Sequence, residues 1–556
     1  MAKLDLKSIF LDRIVTGLKH SSITSPSKWA TTYRFMPDGL YSFKEFPWSR
    51  EMHDSKAEKN VGQKAAQMGF TEIMLNLAFY CIDILGKDVM YVLPTKNPSA
   101  SKFSSGRFDP ALELSPHLRN LFSDVDNISH KRAGTANLYV VGSHSRTDLK
   151  SQPITRLIMD EVAEFVEANI PLALERMSGQ KVEDRQLWMI STPTMEGFGI
   201  SKYYDYSDKK IFVFPCPKCS RHIDLRYPEC LKIEGDNLFD PRLKDSYLMC
   251  PECKGKLDHE SKSEWLAPAY WVPTIANREW SGWTVSQLYS ARIRPCDIAE
   301  SYFKAQINPA DETELYNSKL GLPHSSNDAR VTDEHLDKAI MTGPKKHNNE
   351  RPDFNGLITM GIDVGKWLHF EITKYVMPKG IMPTDFNTHA VAQVLRFGKC
   401  KNFEELSLYM SEYRVMSCVI DAQPERRLSL TFARKHLGRV HVCFFGRGIN
   451  GKSISVPKDQ SNIEPVVIVD RSAWLDQALG RFINGTISLP IDTNLEYREH
   501  IKAPAKSYKK DESGNPVAKY LTDENAPDHY AFARCYSEIA LVFLASNFVT
   551  QTIEEY

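Results

Sequence analysis

The stretch Lys64-Ala65-Ala66-Gln67-Met68-Gly69-Phe70-Thr71-Glu72 is the feature that most limits what this chain can fold into. It leads into an apolar run from Ile73 to Leu85, followed by Val89-Met90-Tyr91-Val92-Leu93 and Pro94. Loop, helix and buried strand in that order open an α/β unit. Against the phosphate-loop pattern G-x-x-x-x-G-K-[ST], Gly69 and Thr71 take the second glycine and the hydroxyl, Phe70 the lysine, and Lys64 the first glycine. Such a loop offers backbone N–H groups and a helix amino end to phosphate oxygens, and Thr71 to Mg²⁺. Lys64 is then the one loop cation for the β and γ phosphates of ATP. A plain loop-to-helix junction fits the same residues, so the choice rests on positions farther along.

Two further apolar runs end in polar residues: Ile154 to Met159 in Asp160-Glu161, and Gln186 to Ile190 in Ser191-Thr192-Pro193. Open parallel sheets bind ligands at these carboxyl ends. Asp160 is the expected Mg²⁺ ligand and Glu161 the carboxylate that orients the attacking water. A helix N-cap is the bland alternative for the pair. The loop first and the carboxylates later is the order of a P-loop ATPase.

Net charge is zero over 556 residues, so no global basic field points to nucleic acid, and such contacts must come from local patches. Residues 1–19 read as amphipathic without the apolar core of a signal peptide. No window approaches the ~18 uncharged apolar residues of a membrane span, which predicts a cytosolic protein with no membrane partner. Of the 11 cysteines, Cys216, Cys219, Cys250 and Cys253 form two C-x-x-C pairs. Their spacing suits a structural Zn²⁺ in a ribbon-like insert; Cys230 and His259 are spare candidates, and unrelated buried cysteines are the alternative.

Farther on, an apolar strand Ile358 to Ile362 carries Asp363, a second, Cys418 to Ile420, ends at Asp421, and Asp528 opens a late helix beside His529. Carboxylates about 4 Å apart repel by roughly 4 kcal/mol at an effective dielectric of 20, so a cluster needs cations or takes up protons. Two Mg²⁺ or Mn²⁺ ions on Asp363, Asp421 and Asp528 would relieve that repulsion and activate water against a phosphodiester. Cap or turn roles are the alternative for each Asp. Lys502, Lys506, Lys509 and Lys510, with Arg426, Arg427, Arg434 and Lys435, are a local source of positive charge for DNA phosphates.

Gly142-Ser143, Leu149-Lys150-Ser151-Gln152-Pro153 and Arg156 through Val162 resemble the segment leading into the Walker B strand of lambda-type (GpA-like) large terminase subunits, the packaging ATPases of tailed bacteriophages. Phe46-Pro47-Trp48-Ser49-Arg50-Glu51, Arg107-Phe108-Asp109-Pro110, Ser191-Thr192-Pro193-Thr194, Trp283 to Ser290 and Leu320-Gly321 extend the resemblance through most of the chain. Members of that family also carry the loop's basic residue at its first position, as with Lys64. The resemblance implies that Lys64, Gly69, Phe70 and Thr71 bind nucleotide with Asp160, that Glu161 is catalytic, that Ser191-Thr192 couples hydrolysis to movement, and that Phe46 to Glu51 lies near adenine. Gln67 and Glu72 depart from the family's basic residues, which leaves the transition-state cation open among Arg146, Arg156, Arg176 and Lys150.

The expected fold is α/β: an N-terminal P-loop (ASCE-type) ATPase domain with a zinc-ribbon insert and a C-terminal RNase H-like nuclease domain. The expected boundaries are 1–212 for the ATPase core, 213–262 for the insert, 263–350 for ATPase completion and linker, and 351–556 for the nuclease. The resemblance implies ATP-driven translocation of viral double-stranded DNA into a procapsid, with metal-dependent cutting of concatemers. It implies a portal protein, a small terminase subunit and a homo-oligomeric ring as partners, in the host cytoplasm and transiently at the portal. A helicase-like or repair motor with a fused nuclease, or a zinc-ribbon DNA-binding assembly protein with a decayed ATPase, are the competing readings.

Overall fold

The computed structural model describes residues 22–122, 125–127, 129–150, 152–324, 330–348, 350, 353–376, 389–446, 454–455, 465–510, 516–522 and 526–545. The amphipathic stretch expected over residues 1–19, and residues 349, 351 and 352 of the expected linker, lie outside them. The chain divides into two compact units, residues 1–325 and 326–556. Among the described residues no helix is long and apolar enough to cross a membrane.

The first unit is built on an eight-stranded sheet. Its strands are β1 (Lys59–Lys64), β2 (Val89–Leu93), β3 (Val125–Asp126), β4 (His130–Ala133), β5 (Ala136–Gly142), β6 (Arg156–Asp160), β7 (Gln186–Ser191) and β8 (Trp280–Val285). They lie in the order β8-β1-β7-β6-β2-β5-β4-β3. From β8 to β5 every pair is parallel, and β4 and β3 extend the sheet antiparallel. Strands covered on both faces read as unbroken apolar runs, and β2 and β6 are buried at every position. Parallel pairing brings the carboxyl ends to one edge, so Lys64, Ser191 and Asp160 leave adjacent strands together. Helix α1 (Phe70–Asp83) begins after Gly69, whose φ of 78° permits the sharp entry, and buries Phe70, Ile73, Met74 and Leu77.

Between β7 and β8 the chain leaves this sheet. Ile211–Pro215 pairs with His222–Ile223 and with Tyr270–Val272, and Leu231–Lys232, Tyr247–Met249 and Lys256–Leu257 make a second small antiparallel sheet. The stem of the insert closes at Val272, beyond the expected limit of 262, because Val272 pairs with Ile211 across it.

The second unit has its own eight-stranded sheet. Its strands are β9 (Leu357–Val364), β10 (Leu368–Val376), β11 (Val391–Cys400), β12 (Ser417–Asp421), β13 (Val440–Phe445), β14 (Ile454–Ser455), β15 (Val466–Val469) and β16 (Ile487–Ser488). The order is β14-β15-β13-β12-β9-β10-β11-β16. β9, β10 and β11 form an antiparallel meander, while β12, β13 and β15 run parallel outward from β9. Helices α2 (Asp333–Thr342), α3 (Arg471–Ile483), α4 (Leu495–Lys502) and α5 (His529–Ala545) belong here. The unit starts at residue 326 and not at 351, because α2 buries Leu336 and Ala339 in its core and Ala339 accepts a hydrogen bond from Leu489.

Helix α5 lies so close to β9 that a Cβ on Gly361 would stand 2.0 Å from the Ala533 carbonyl oxygen. A buried ionic knot fixes it there. Arg534 donates to Glu371 of β10 at 2.7 Å and also meets Glu538, which Arg481 of α3 contacts at 2.6 Å. Tyr497 and Tyr375 donate to Glu371 and Glu538 at 2.6 and 2.8 Å. Two arginines balance two glutamates, which is the condition under which such charges are tolerated away from water.

Candidate active sites

Lys64, at the end of β1, is buried and places Nζ 2.8 Å from Glu161 Oε1 and 4.0 Å from Asp160 Oδ1. Burial alone would lower its pKa, but the charges of Asp160 and Glu161 outweigh that and leave it raised. Asp160 Oδ2 accepts hydrogen bonds from Tyr91 (2.8 Å) and Thr71 (3.1 Å). Its Oδ1 is buried with no hydrogen-bond partner among the described residues, and burial raises the carboxyl's pKa against the pull of Lys64. A bare carboxylate oxygen beside a threonine hydroxyl at a helix amino end suits a divalent cation. Glu161 has the left-handed backbone φ 62°, and the Ser191 hydroxyl lies 3.5 Å from its Oε2.

The loop is braced from several sides. Ala65 N–H donates to the Val285 carbonyl, and Ala66 N–H to that of Ser318. Gln287 donates to the Ala66 carbonyl and Trp48 to that of Met68. A Cβ on Gly69 would touch the Phe46 ring at 3.1 Å. Phe70 departs from its expected place as a nucleotide contact: its side chain is 1% exposed and packs beneath the loop, 2.7 Å from where a Cβ on Gly62 would be. Only its backbone remains for phosphate.

Of the cations left open for the transition state, Arg156 is ruled out within its own chain. It begins β6, at the far end from Asp160, and its guanidinium donates to the Leu77 carbonyl at 2.5 Å. Arg176 donates to the Lys150 carbonyl. Arg146 is exposed and follows the carboxyl end of β5, on the edge that carries Lys64 and Asp160.

The four cysteines of the insert gather with their sulfurs within 4.8 Å of one another. Cys219 and Cys250 are 4.0 Å apart at sulfur, close to the ~3.8 Å edge of a zinc–thiolate tetrahedron. The two knuckles share one turn: Cys216 N–H donates to Arg221 and Ser220 N–H to Cys216, while Cys250 N–H donates to Gly255 and Lys254 N–H to Cys250. Ser220 and Lys254 both take φ 58°. Cys230 and His259 stand outside this cluster.

In the second unit Asp363, next to last in β9, and Asp421, last in β12, lie on adjacent parallel strands, with Ile362 paired to Ile420 one residue earlier. Asp528 immediately precedes α5, and His529 Nδ1 lies 2.8 Å from Asp363 Oδ2. Burial raises Asp363. Burial also pushes Asp421 up to about 6, against a hydrogen bond from Gln423, and the charge of Asp363 adds to the rise. Asp528 is raised by burial and again by Asp363, against the Thr522 hydroxyl. Asp363 thus raises both of the others, and His529 and Arg471 offset only part of the group's negative charge, the kind of surplus that divalent cations relieve.

Two participants carried no sequence signal. Tyr91 reads only as one residue of an apolar strand. His369 faces Asp363 solely because the β9–β10 register pairs them.

Residues 36–271 match the family described as phage terminase large subunit gpA, ATPase domain. This segment is similar to gpA-type terminase ATPase domains. No curated protein matches the chain. Among solved structures, the large terminase of bacteriophage HK97 is 11% identical, with a TM-score of 0.49 over 92% of this chain and 98% of its own. A large terminase from a thermophilic bacteriophage is 10% identical, with a TM-score of 0.30 over 90% and 98%. The large terminase nuclease of the thermophilic phage G20c is 12% identical, with a TM-score of 0.23 over 37% and 97%. The matched terminase segment contains Lys64, Thr71, Asp160, Glu161 and the four clustered cysteines.

Proposed function

We propose that the chain hydrolyses ATP to drive double-stranded viral DNA into a procapsid and cuts concatemeric DNA with a second, metal-dependent site. The observation that carries this reading is the convergence of Lys64, Thr71, Asp160 and Glu161 at one sheet edge. Nucleotide phosphates would meet the backbone N–H groups from Gln67 to Thr71, with Lys64 turning from Glu161 toward the β and γ oxygens. Mg²⁺ held by Thr71 and Asp160 Oδ1 would neutralise charge on those oxygens. Glu161, released from Lys64, would orient the attacking water, and Ser191, already beside it, would report the change to β7.

In the second unit Asp363, Asp421 and Asp528 would hold Mg²⁺ or Mn²⁺ for phosphodiester hydrolysis. The exposed cations Arg427 and Lys435, on the helix Arg426–Lys435 that begins five residues after Asp421, are suited to DNA phosphates. Lys502 and Lys506 are engaged with Asp333 and Asp476, which weakens their part in the expected basic patch. Zn²⁺ on Cys216, Cys219, Cys250 and Cys253 would close the ribbon. The portal protein, a small terminase subunit and further copies of the chain in a ring are the partners this work requires, in the host cytoplasm.

The test is ATP turnover with DNA and portal present, beside plasmid cleavage in Mn²⁺. Glu161→Gln should remove turnover and spare cleavage, and Asp363→Asn should do the reverse. Wild-type protein with neither activity would overturn the reading.

A further inference from the structure

We propose that His369 and His529 join Asp363 in a mixed imidazole–carboxylate metal site that favours Mn²⁺ over Mg²⁺. The proposal rests on the nuclease reading of this unit and adds nitrogen ligands to its carboxylates. His369 is paired with Asp363 across β9 and β10, and His529 opens α5, which the ionic knot holds against the same sheet. The two imidazoles stack with centroids 4.5 Å apart and planes 8° from parallel. One donor atom from each of Asp363, His369 and His529 lies within 4.8 Å of the others.

His369 supplies the independent sign of a ligand. It is 4% exposed, and its Nδ1 has no hydrogen-bond partner among the described residues. Burying an imidazole nitrogen unpaired carries a desolvation cost, which a bound cation removes. His529 Nδ1 meets the carboxylate of Asp363 at hydrogen-bond distance, and an ion entering there replaces that hydrogen bond with coordination to both groups. Metal–ligand bonds of about 2.1 Å need donor pairs some 3–4 Å apart, and the donors here, between the 2.8 Å of His529 to Asp363 and an outer limit of 4.8 Å, bracket that range.

The donor chemistry sets the preference. Mg²⁺ takes oxygen ligands and keeps its waters, whereas imidazole nitrogen favours transition ions. Three clustered aspartates alone would not discriminate in this way, because all their donors are oxygen. Asp421 and Asp528 remain beside the site for a second ion.

The experiment titrates Mn²⁺ into the full-length chain without nucleotide and records the electron spin echo of the bound ion. Modulation from directly coordinated ¹⁴N is expected in the wild type, diminished in His369→Gln and in His529→Gln and absent from the double variant. Competition should show Mn²⁺ binding at least about tenfold tighter than Mg²⁺, with the ratio falling about tenfold in either single variant. A bound Mn²⁺ signal that depends on Asp363 but lacks nitrogen modulation in the wild type would overturn the proposal and leave the nuclease reading intact. Absence of any Asp363-dependent Mn²⁺ binding would overturn it as well. Undiminished plasmid cleavage by Asp363→Asn would instead sink the nuclease reading, even with nitrogen modulation present.

Discussion

Lys64 Nζ stands 2.8 Å from Glu161 Oε1 and 4.0 Å from Asp160 Oδ1, so one buried cation serves both carboxylates across two strand ends. Lys64→Ala leaves Asp160 buried without its counter-charge and removes the loop's only side-chain cation. ATP turnover, read as phosphate release, should fall by about 100-fold or more, while cleavage by the second unit is unchanged.

Phe70 occupies the usual lysine position of the loop, yet its ring lies in the core against Gly62. Restoring the common residue with Phe70→Lys should therefore fail. It exchanges a buried ring for a charge with no counter-ion there, so stability should drop by about 3 kcal/mol or more, seen in thermal unfolding, with no gain in turnover.

Tyr91 is a positioning residue for Asp160. Its ring stays packed on Phe103, at 4.9 Å, in Tyr91→Phe, so the fold should hold. Asp160 Oδ2 then keeps only the Thr71 donor, and the half-saturating Mg²⁺ concentration for ATP hydrolysis should rise several-fold with KM for ATP little changed. An unaltered Mg²⁺ requirement would show that Tyr91 does not orient the carboxylate.

The insert offers a metal test that needs no enzyme assay. Elemental analysis should find one Zn²⁺ per chain, and Cys250→Ser or a strong chelator should remove it. Since metal binding at such sites is folding free energy, the small strands of the insert should lose protection from proteolysis first. A full complement of zinc in Cys250→Ser would exclude this cluster.

His53 gives a signed pH dependence. It is buried, contacts the Ser49 carbonyl through Nδ1 and Asn76 through Nε2, and burial lowers its pKa to about 4. The folded-state value lies below the ordinary 6.5, so the stability this imidazole contributes is complete above pH 6.5 and is lost as pH falls toward 4. The loss amounts to about 3 kcal/mol. Unfolding free energies of His53→Gln should vary less across that window than those of the wild type.

Much of the architecture was legible because the signals are local. Val89–Leu93 is a strand with the bounds its apolar run suggests, and the late helix, expected to open at Asp528, begins one residue on, at His529. The cysteine knuckles and the carboxylates at strand ends were visible for the same reason. Boundaries read from composition fared less well. A polar, proline-containing loop near 350 looks like a linker, yet α2 ahead of it packs into the second unit, and burial of Leu336 and Ala339 is a property of their distant neighbours.

The sequence by itself determined the order of the elements and which side chains with catalytic chemistry stand at their ends, since strand length, apolar patterning and turn residues act over a few positions. Only the tertiary structure decided that Lys64 reaches Glu161, that Tyr91 holds Asp160, that Phe70 faces the core, and that His369 lies across from Asp363. These depend on strand register and on which face of a strand or helix is buried. A shift of one residue reverses the face of every side chain in a strand, so they are fixed by packing of the whole sheet and not by any stretch of the chain alone.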